Sequence, residues 1–202
     1  MDVPTGVALR DVREQLFDAA ERVLLRDGPH ALTSRAVTTE AGVAKGVLHR
    51  HFADFDAFLA ELIEDRIVRL GRQAEALRQS AGTGTVAGNL TGALTELFGS
   101  VAIQIVSLLI FRDDLRARLR RTRPTGVPLA TEAAAMIASY LSAERDLGRI
   151  APEADVDTLA PTLIGAGHLL FAGRDGLPPD AAEVRKVVAA VLAGAGPESP
   201  AP

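Results

Sequence analysis

The sequence AGVAKGVLHRHF, residues 41–52, decides how the N-terminal part of this chain is interpreted. It contains a lysine, an arginine and two histidines but no acidic residue. The residues before it predict a short helix that is capped by Thr33 or Ser34 and ends near Ala41. Gly42 then permits a tight turn before a second short helix. Two short helices joined in this way predict a helix-turn-helix, whose second helix enters the major groove of DNA.

The predicted second helix carries side chains suited to a nucleic acid. Gly46 removes side-chain bulk so that the backbone can approach a duplex, and Lys45 and Arg50 can reach phosphate or guanine. The two histidines can donate hydrogen bonds to phosphate. We therefore predict a DNA-binding surface made of Thr33, Ser34, Arg35, Ala44, Lys45, Gly46, His49, Arg50 and His51.

The charge of the chain argues against DNA as a partner unless the positive charge is local. The formal net charge is -4, which is unfavourable for a polyanion. Residues 1–60 hold seven basic and nine acidic side chains, whereas residues 28–52 hold three basic and one acidic. The excess of positive charge is therefore confined to the predicted helix-turn-helix.

Apolar residues recur at helical spacing over almost the whole chain, and no segment keeps the alternation of a β-strand. The predicted fold class is all-α, with a three-helix N-terminal domain and a larger helical domain. Asp54 offers an N-cap to a long amphipathic helix between them. The predicted boundaries are 8–54 for the helix-turn-helix domain, 55–79 for the connecting helix, 80–196 for the second domain and 197–202 for a disordered tail. Within the second domain we predict helices at about 89–111, 113–121, 127–147, 155–172 and 179–193.

The composition bears on the compartment of the protein. The chain has no cysteine, which favours a reducing interior. The first residues lack the basic and then apolar order of a signal peptide. The longest apolar run, residues 101–111, is shorter than the about 20 residues that cross a bilayer. We therefore expect a cytoplasmic protein with no membrane partner.

The sequence contains no recognisable catalytic constellation. We find no nucleophile paired with a base, no metal cluster and no glycine-rich phosphate loop, so no catalytic residue, cofactor or metal is predicted. His49 and His51 diverge on a helix because they are two residues apart, and they lack a third ligand. An enzyme that carries a helix-turn-helix remains an alternative, because distant residues can converge in a fold.

The N-terminal third resembles the TetR family of bacterial transcriptional regulators. The matching features, in order, are LFDAAERVLLRDG, the cap Thr33, AGV at residues 41–43, Gly46, and HRHF at residues 49–52. Three positions depart from the family pattern: Ala44 replaces a helix-capping serine or threonine, His49 replaces a tyrosine, and Phe55 replaces a lysine. The last change removes a phosphate contact, so we expect affinity to depend on Lys45, Arg50 and Arg35. A helical ligand-binding protein that has lost DNA binding is a further alternative.

The segment FRDDLRARLRRTR, residues 111–123, has two interpretations. Its six arginines from Arg112 to Arg123 are typical of a second nucleic-acid surface. The interleaved Asp113 and Asp114 favour a solvated helix and loop instead.

Two polar residues lie on one face of an apolar helix in the second domain. Burying Gln104 or Ser107 without a hydrogen bond costs about 1–3 kcal/mol, so each needs a partner. That partner is either a neighbouring side chain or water, or a ligand. The resemblance favours a ligand, because TetR-like proteins commonly bind a small effector in this region. We therefore expect a largely apolar pocket that includes Gln104, Ser107, Phe111, Met136, Tyr140 and His168.

Two late helices carry more apolar surface than a monomer needs. As in the family, they are expected to form a four-helix interface in a homodimer. The alternative is that they bury against the protomer's own core. The resemblance thus implies a dimeric repressor that binds a pseudo-palindromic operator and is released by a small effector. The predicted interface residues are Ala160, Leu163, Ile164, Gly167, Phe171, Val184, Val187, Val188, Val191 and Leu192.

Overall fold

The computed structural model describes residues 6–172 and 178–193, with side chains from residue 12 onward. The tail predicted at 197–202 lies outside these residues. Within them the chain is all-helical, with no strand, so the predicted fold class is confirmed. The elements are α1 (Gly6–Asp27), a 3-10 turn (Pro29–Ala31), α2 (Ser34–Glu40), α3 (Gly46–His51), α4 (Phe55–Gln79), α5 (Val86–Phe98), α6 (Ala102–Phe111), α7 (Asp113–Leu119), α8 (Ala130–Asp146), α9 (Val156–Ala172) and α10 (Ala181–Leu192).

One predicted helix is two helices in the structure. The segment expected at 89–111 is interrupted after Phe98, and α6 begins at Ala102. A β-carbon added at Gly99 would lie 2.8 Å from the Thr95 carbonyl oxygen, so the backbone is tightly closed there. No single helix in the described ranges is long and apolar enough to cross a membrane; α5 and α6 together meet that test, but the chain bends between them.

The chain divides into two compact units. The N-terminal unit comprises residues 1–65 and 104–125, and the C-terminal unit comprises residues 66–103 and 126–202. This division differs from the predicted domain boundaries, because the segment 104–125 joins the helix-turn-helix. That association depends on contacts between residues far apart in sequence, which local patterns do not encode.

An aromatic cluster forms the core of the N-terminal unit. The Phe17 ring lies 5.9 Å from the Phe52 ring and 5.6 Å from the Phe58 ring, measured between centroids. Phe52 and Phe58 are 5.0 Å apart in an edge-to-face arrangement. Each buried side chain of this size contributes about 1.5–3 kcal/mol relative to exposure. The cluster thus holds α1, the end of α3 and the start of α4 together.

A buried carboxylate organises part of the C-terminal unit. Glu144 is 0% exposed, and its Oε1 accepts a hydrogen bond from the Tyr140 hydroxyl at 2.5 Å. The Gly82 amide and the Arg149 guanidinium approach its Oε2, each at 3.3 Å. Burial, followed by the hydrogen bond to Glu144, raises the pKa of Tyr140 above its usual value. These partners satisfy a charge that would otherwise be costly to bury.

Candidate nucleic-acid interface

Helix α2 is fixed by its cap and its inner face. The Thr33 hydroxyl accepts a hydrogen bond from the Ala36 amide at 3.1 Å, as predicted for an N-cap. Val37 and Thr38 are buried, and the Thr38 hydroxyl donates to the Ser34 carbonyl at 3.0 Å. Because these residues face inward, the opposite face of α2, which includes Arg35, is exposed.

The turn between α2 and α3 depends on Gly42. Its φ angle is +67°, a conformation that is costly for other residues. The amides of Gly42 and Val43 donate to the carbonyls of Thr39 and Thr38 at 3.1 and 3.0 Å. The Gln15 side chain of α1 donates to the Ala41 carbonyl at 2.8 Å. The turn is therefore closed by its own backbone and tied to the first helix.

Helix α3 has one buried and one exposed face. Leu48 is 0% exposed, and Phe52, which follows the helix, is also buried. Lys45, and not Ala44, occupies the N-cap position of α3, and its side chain makes no capping hydrogen bond. The exposed side consists of Ala44, Lys45, Gly46, His49 and Arg50.

Arg13 secures the end of α3, a role that the sequence did not predict. Its guanidinium lies 4.4 Å from the centre of the Phe52 ring and donates to the His51 carbonyl at 3.2 Å. It also pairs with Glu61 of α4. A positive charge at a helix C-terminus is favourable. The interaction joins residues 38 apart in the chain, so no local motif marks it.

Most described arginines of the N-terminal unit are neutralised by acids. Arg22 and Arg26 both pair with Glu40 at 2.8 Å. The two hydrogen bonds, that from Arg22 first, lower the pKa of Glu40. By contrast, no ion pair or hydrogen bond within the described residues engages the side chains of Arg35, Lys45 or Arg50. These three cations are therefore free to meet an anionic partner.

The structure brings the nine predicted DNA-binding residues onto two adjoining helices and their caps. Ser34 and His51 are only half-exposed, and the Ser34 hydroxyl has no hydrogen-bond partner within the described residues. No atom lies within 4 Å of a β-carbon added at Gly46. The exposed members are Thr33, Arg35, Ala44, Lys45, Gly46, His49 and Arg50.

Phe55 occupies the position where the resemblance suggests a lysine. Its ring stacks on Phe58 with centroids 5.6 Å apart. The Arg112 guanidinium lies 5.3 Å from the Phe55 ring centre and donates to Asp56 at 2.9 Å. A cation from the segment 104–125 therefore lies beside the start of α4.

Four of the six arginines in residues 112–123 form ion pairs. Besides Arg112, Arg118 pairs with Asp54 at 2.6 Å and Arg123 pairs with Glu64 at 2.7 Å. Arg116 pairs with Asp113 in its own helix. The segment thus forms the predicted helix and loop with Asp113 and Asp114 exposed. In addition, Arg112, Arg118 and Arg123 tie it to α4 and to the residue that caps α4. Arg120 and Arg121 are exposed, with no ion pair to any described residue.

The six residues predicted to line one ligand pocket are divided between the units. Gln104, Ser107 and Phe111 belong to the N-terminal unit, whereas Met136, Tyr140 and His168 belong to the C-terminal unit. The side chains have the following surroundings. The Gln104 Oε1 atom is buried without a hydrogen-bond partner among described residues. Phe111 is 70% exposed and faces the His30 ring, the Tyr140 hydroxyl bonds Glu144 and Asn89, and the His168 ring meets the edge of Phe98.

A cavity of about 490 Å³ lies in the C-terminal unit between α4, α5 and α8. Met136 is the one predicted ligand residue in its lining. Across the cavity, the Gln73 amide donates to Glu96 at 2.6 Å. Sequence reasoning missed these polar residues because they look like the solvated face of an amphipathic helix. The lining is Arg72, Gln73, Ala76, Leu77, Ser80, Gly88, Asn89, Gly92, Ala93, Glu96 and Met136.

Most predicted dimer residues are buried inside the protomer. Ala160, Leu163, Ile164, Gly167, Val184 and Val188 are buried in the C-terminal unit, so their assignment to an interface is corrected to the core. A β-carbon added at Gly167 would lie 2.4 Å from the Phe98 ring, and Phe171 also packs on that ring at 5.4 Å between centroids. Phe171, Val187, Val191 and Leu192 are half-exposed. The outward faces of the two helices instead carry Asp157, Thr158, Pro161, Thr162, Gly165, Leu169, Arg185, Lys186, Ala189 and Ala190.

Potential metal ligands and similar protein sequences were sought for this chain. No group of three potential metal ligands occurs among the side chains that the structure describes. Residues 16–62 match the family model of bacterial regulatory proteins of the tetR family. No curated protein sequence matches the chain.

Solved structures share the fold over nearly the whole chain. A protein assigned to the TetR-family transcriptional regulators from Mesorhizobium loti MAFF303099 aligns with 93% of this chain and 98% of its own, at 18% identity and a TM-score of 0.68. FadR from Bacillus subtilis, a transcriptional regulator in complex with stearoyl-CoA, aligns with 90% of this chain and 98% of its own, at 17% identity and a TM-score of 0.62. SmeT, the repressor of the Stenotrophomonas maltophilia multidrug efflux pump SmeDEF, aligns with 93% of this chain and 91% of its own, at 18% identity and a TM-score of 0.60.

Residues 16–62, which include the helix-turn-helix, are similar to the N-terminal domain of tetR-family bacterial regulatory proteins. The chain shares the fold of solved TetR-family transcriptional regulators. The resemblance predicted from residues 41–52 and their surroundings is thereby confirmed. The family model that matches residues 16–62 describes regulatory proteins, in agreement with the prediction that the chain is not an enzyme.

Proposed function

We propose that this protein is a cytoplasmic, ligand-responsive repressor that binds a pseudo-palindromic operator as a homodimer. The observation that carries the proposal is the set of three unpaired cations, Arg35, Lys45 and Arg50, on the exposed faces of α2 and α3. The other arginines described in residues 1–65 are engaged by acids, so these three are the ones that a DNA backbone can recruit.

The exposed face of α3 has the composition needed in a major groove. Lys45 and Arg50 provide charge for phosphate or guanine, and Gly46 leaves space for close approach of the backbone. One six-residue helix offers few base contacts. Two copies that meet successive major grooves, about 34–36 Å apart, would supply enough contacts for specific binding.

The outward faces of α9 and α10 support the dimer. They carry small residues, the charged side chains of Asp157, Arg185 and Lys186, and one large apolar side chain, Leu169, which is 77% exposed. Small residues such as Gly165 allow two helices to approach closely. We propose that these faces meet their copies in a symmetric interface, with the half-exposed Phe171 and Val187 at its border.

The effector is proposed to occupy the cavity between α4, α5 and α8. Its volume suits a small organic molecule, and it offers an apolar wall at Leu77 and Met136 with polar groups at Arg72 and Glu96. Ligand binding to related folds, such as FadR with stearoyl-CoA, supports this assignment.

Repression is released only if the effector favours the form of the dimer that cannot bind DNA. To change the ratio of the incompetent to the DNA-binding form from 1:99 to 99:1, the effector must bind the incompetent form more tightly by about 5.5 kcal/mol. By linkage, operator and effector then weaken each other's binding by the same factor. Equal effector affinity with and without operator would contradict release by effector while leaving DNA binding untouched.

The alternative is a helical ligand-binding protein without DNA activity, which the replacement of lysine by Phe55 favours. Repeated selection of the full-length protein on random duplex DNA separates the two functions. The proposed repressor enriches a two-fold symmetric sequence, with half-sites separated by about one helical turn. Recovery of no common sequence from either low or moderate salt would contradict the repressor.

A further inference from the structure

The charge of the N-terminal unit is set largely by a segment outside the helix-turn-helix. Residues 1–65 contain seven basic and twelve acidic side chains, a net charge of -5. Residues 104–125 contain six basic and two acidic side chains, a net charge of +4. Because both ranges form one compact unit, that unit has a net charge of -1. The segment thus removes most of the repulsion that a DNA duplex would meet.

Ion pairs hold this segment against the start of α4. Arg118 bonds Asp54, the residue that precedes α4 and follows α3 by three positions. Arg112 bonds Asp56 and lies over the Phe55 ring. The α7 helix is therefore anchored beside the chain that leaves the recognition helix.

Two arginines close to this anchor remain without partners. Arg120 and Arg121 follow Arg118 by two and three residues, so their Cα atoms lie at most about 11 Å from the Cα atom of Arg118. Both are exposed, and no described residue forms an ion pair with either one. The acids of the segment, Asp113 and Asp114, lie in the first turn of α7, at its opposite end.

We propose that Arg120 and Arg121 form a second phosphate-binding site that contacts the DNA backbone beside the surface formed by α2 and α3. Arg112 and Arg118 are positioning residues, because their bonds to Asp56 and Asp54 hold α7 at the start of α4. The site supplies cations near the position where Phe55 provides none. This inference rests on the proposed operator binding, and it adds contacts that carry no base specificity of their own.

The test measures operator affinity as a function of salt concentration for the full-length protein. Each lost phosphate contact reduces the slope of log K against log salt by about 0.9. The double variant Arg120→Gln with Arg121→Gln is compared with Arg78→Gln combined with Arg145→Gln, which removes two cations from α4 and α8 of the C-terminal unit, outside the faces proposed for the dimer. Circular dichroism and sedimentation check that each variant folds and assembles like the wild type.

We expect a shallower salt slope and weaker binding for the Arg120→Gln, Arg121→Gln variant, the wild-type slope for the control variant, and recovery of the slope when Arg120 and Arg121 both become lysine. A slope of the Arg120→Gln, Arg121→Gln variant that matches that of the control would overturn the second site. That failure differs from failure of the proposed function, in which the wild-type protein binds no selected duplex and Lys45→Gln changes nothing.

Discussion

Arg118 donates to Asp54 at 2.6 Å, while the other carboxylate oxygen of Asp54 accepts from the Ala57 amide at 2.6 Å. One side chain thus caps α4 and holds α7. The amide of Ala57 and the charge of Arg118 lower the pKa of Asp54, in that order of importance. Asp54 can make both contacts because it lies in the short connection between α3 and α4.

Variants of Asp54 separate its two roles. Asp54→Asn keeps an acceptor for the Ala57 amide but loses the charge that attracts Arg118, whereas Asp54→Ala loses both. The ion pair is exposed and contributes little by itself. We expect the melting temperature to decrease slightly for asparagine and more for alanine. Equal melting temperatures for wild type and Asp54→Ala would show that the cap is dispensable.

Charges placed on the two faces of the late helices should have different effects. Val188 is 0% exposed, so Val188→Asp buries a carboxylate at a cost of several kcal/mol and should unfold the C-terminal unit. Leu169 is 77% exposed, so Leu169→Asp should leave the fold intact and produce monomers. Sedimentation and circular dichroism measure both outcomes. A folded dimer of Leu169→Asp would contradict the proposed interface.

Filling the cavity should block the effector response without affecting DNA binding. Gly92 lines the cavity, and no atom lies within 4 Å of a β-carbon added there. Gly92→Leu therefore places an isobutyl group in the space proposed for the effector. Gly71→Leu is the matched control, because it adds the same group to an open position on α4 outside the lining.

Operator affinity of the Gly92→Leu protein without effector should stay within about twofold of the wild type, since a factor of two is only about 0.4 kcal/mol. Its release by an effector, identified by thermal-shift screening, should be lost. Release at the wild-type effector concentration would place the effector elsewhere. The Gly71→Leu control should respond as the wild type does.

Acid should destabilise the N-terminal unit through its paired carboxylates. The hydrogen bond from Arg123 lowers the pKa of Glu64 below its ordinary value, and Arg22 does the same for Glu40. A glutamate whose pKa is lowered by folding stabilises the fold at pH values above its ordinary pKa of about 4.3. This stabilisation is lost as the pH falls through the lowered pKa of the folded state. The free energy of unfolding should therefore fall between about pH 5 and pH 3.

Glu64→Gln should reduce that acid sensitivity, because the variant has no carboxylate to protonate. Glu153→Gln, at an exposed position in the loop before α9, serves as the control and should follow the wild type. Unfolding in urea at several pH values measures the effect. A Glu64→Gln protein as sensitive to acid as the wild type would exclude the pair with Arg123 as a cause.

Local chemistry made the helix-turn-helix predictable from sequence. Thr33 and Gly42 act through hydrogen bonds to residues within about one helical turn, so their order and spacing help to specify the motif. The bonds from Arg13 to His51 and from Arg118 to Asp54 join residues 38 and 64 apart, and no periodicity marks them.

The late helices show a second limit of sequence patterns. Apolar periodicity identifies the buried face of a helix but not what covers it. Val184 and Val188 are covered by their own protomer, whereas the exposed face of α10 carries alanines together with Arg185 and Lys186. Similarly, the cavity is lined by residues from three helices, and a single amphipathic pattern cannot bring them together.

The proposed function depends on the binding of operator DNA by Lys45 and Arg50, the exposed cations at the start and within α3. The most direct measurement compares operator affinity between 50 and 200 mM salt, roughly the range over which phosphate contacts dominate, for wild type, Lys45→Gln, Arg50→Gln and Arg78→Gln. Arg78 is an exposed arginine of α4 that pairs with Glu75 in the C-terminal unit. We predict weaker binding and a slope reduced by about 0.9 per lost phosphate contact for each α3 variant, with Arg78→Gln unchanged. Wild-type affinity and salt slope in both the Lys45→Gln and the Arg50→Gln variants would contradict the binding of operator DNA by these two residues.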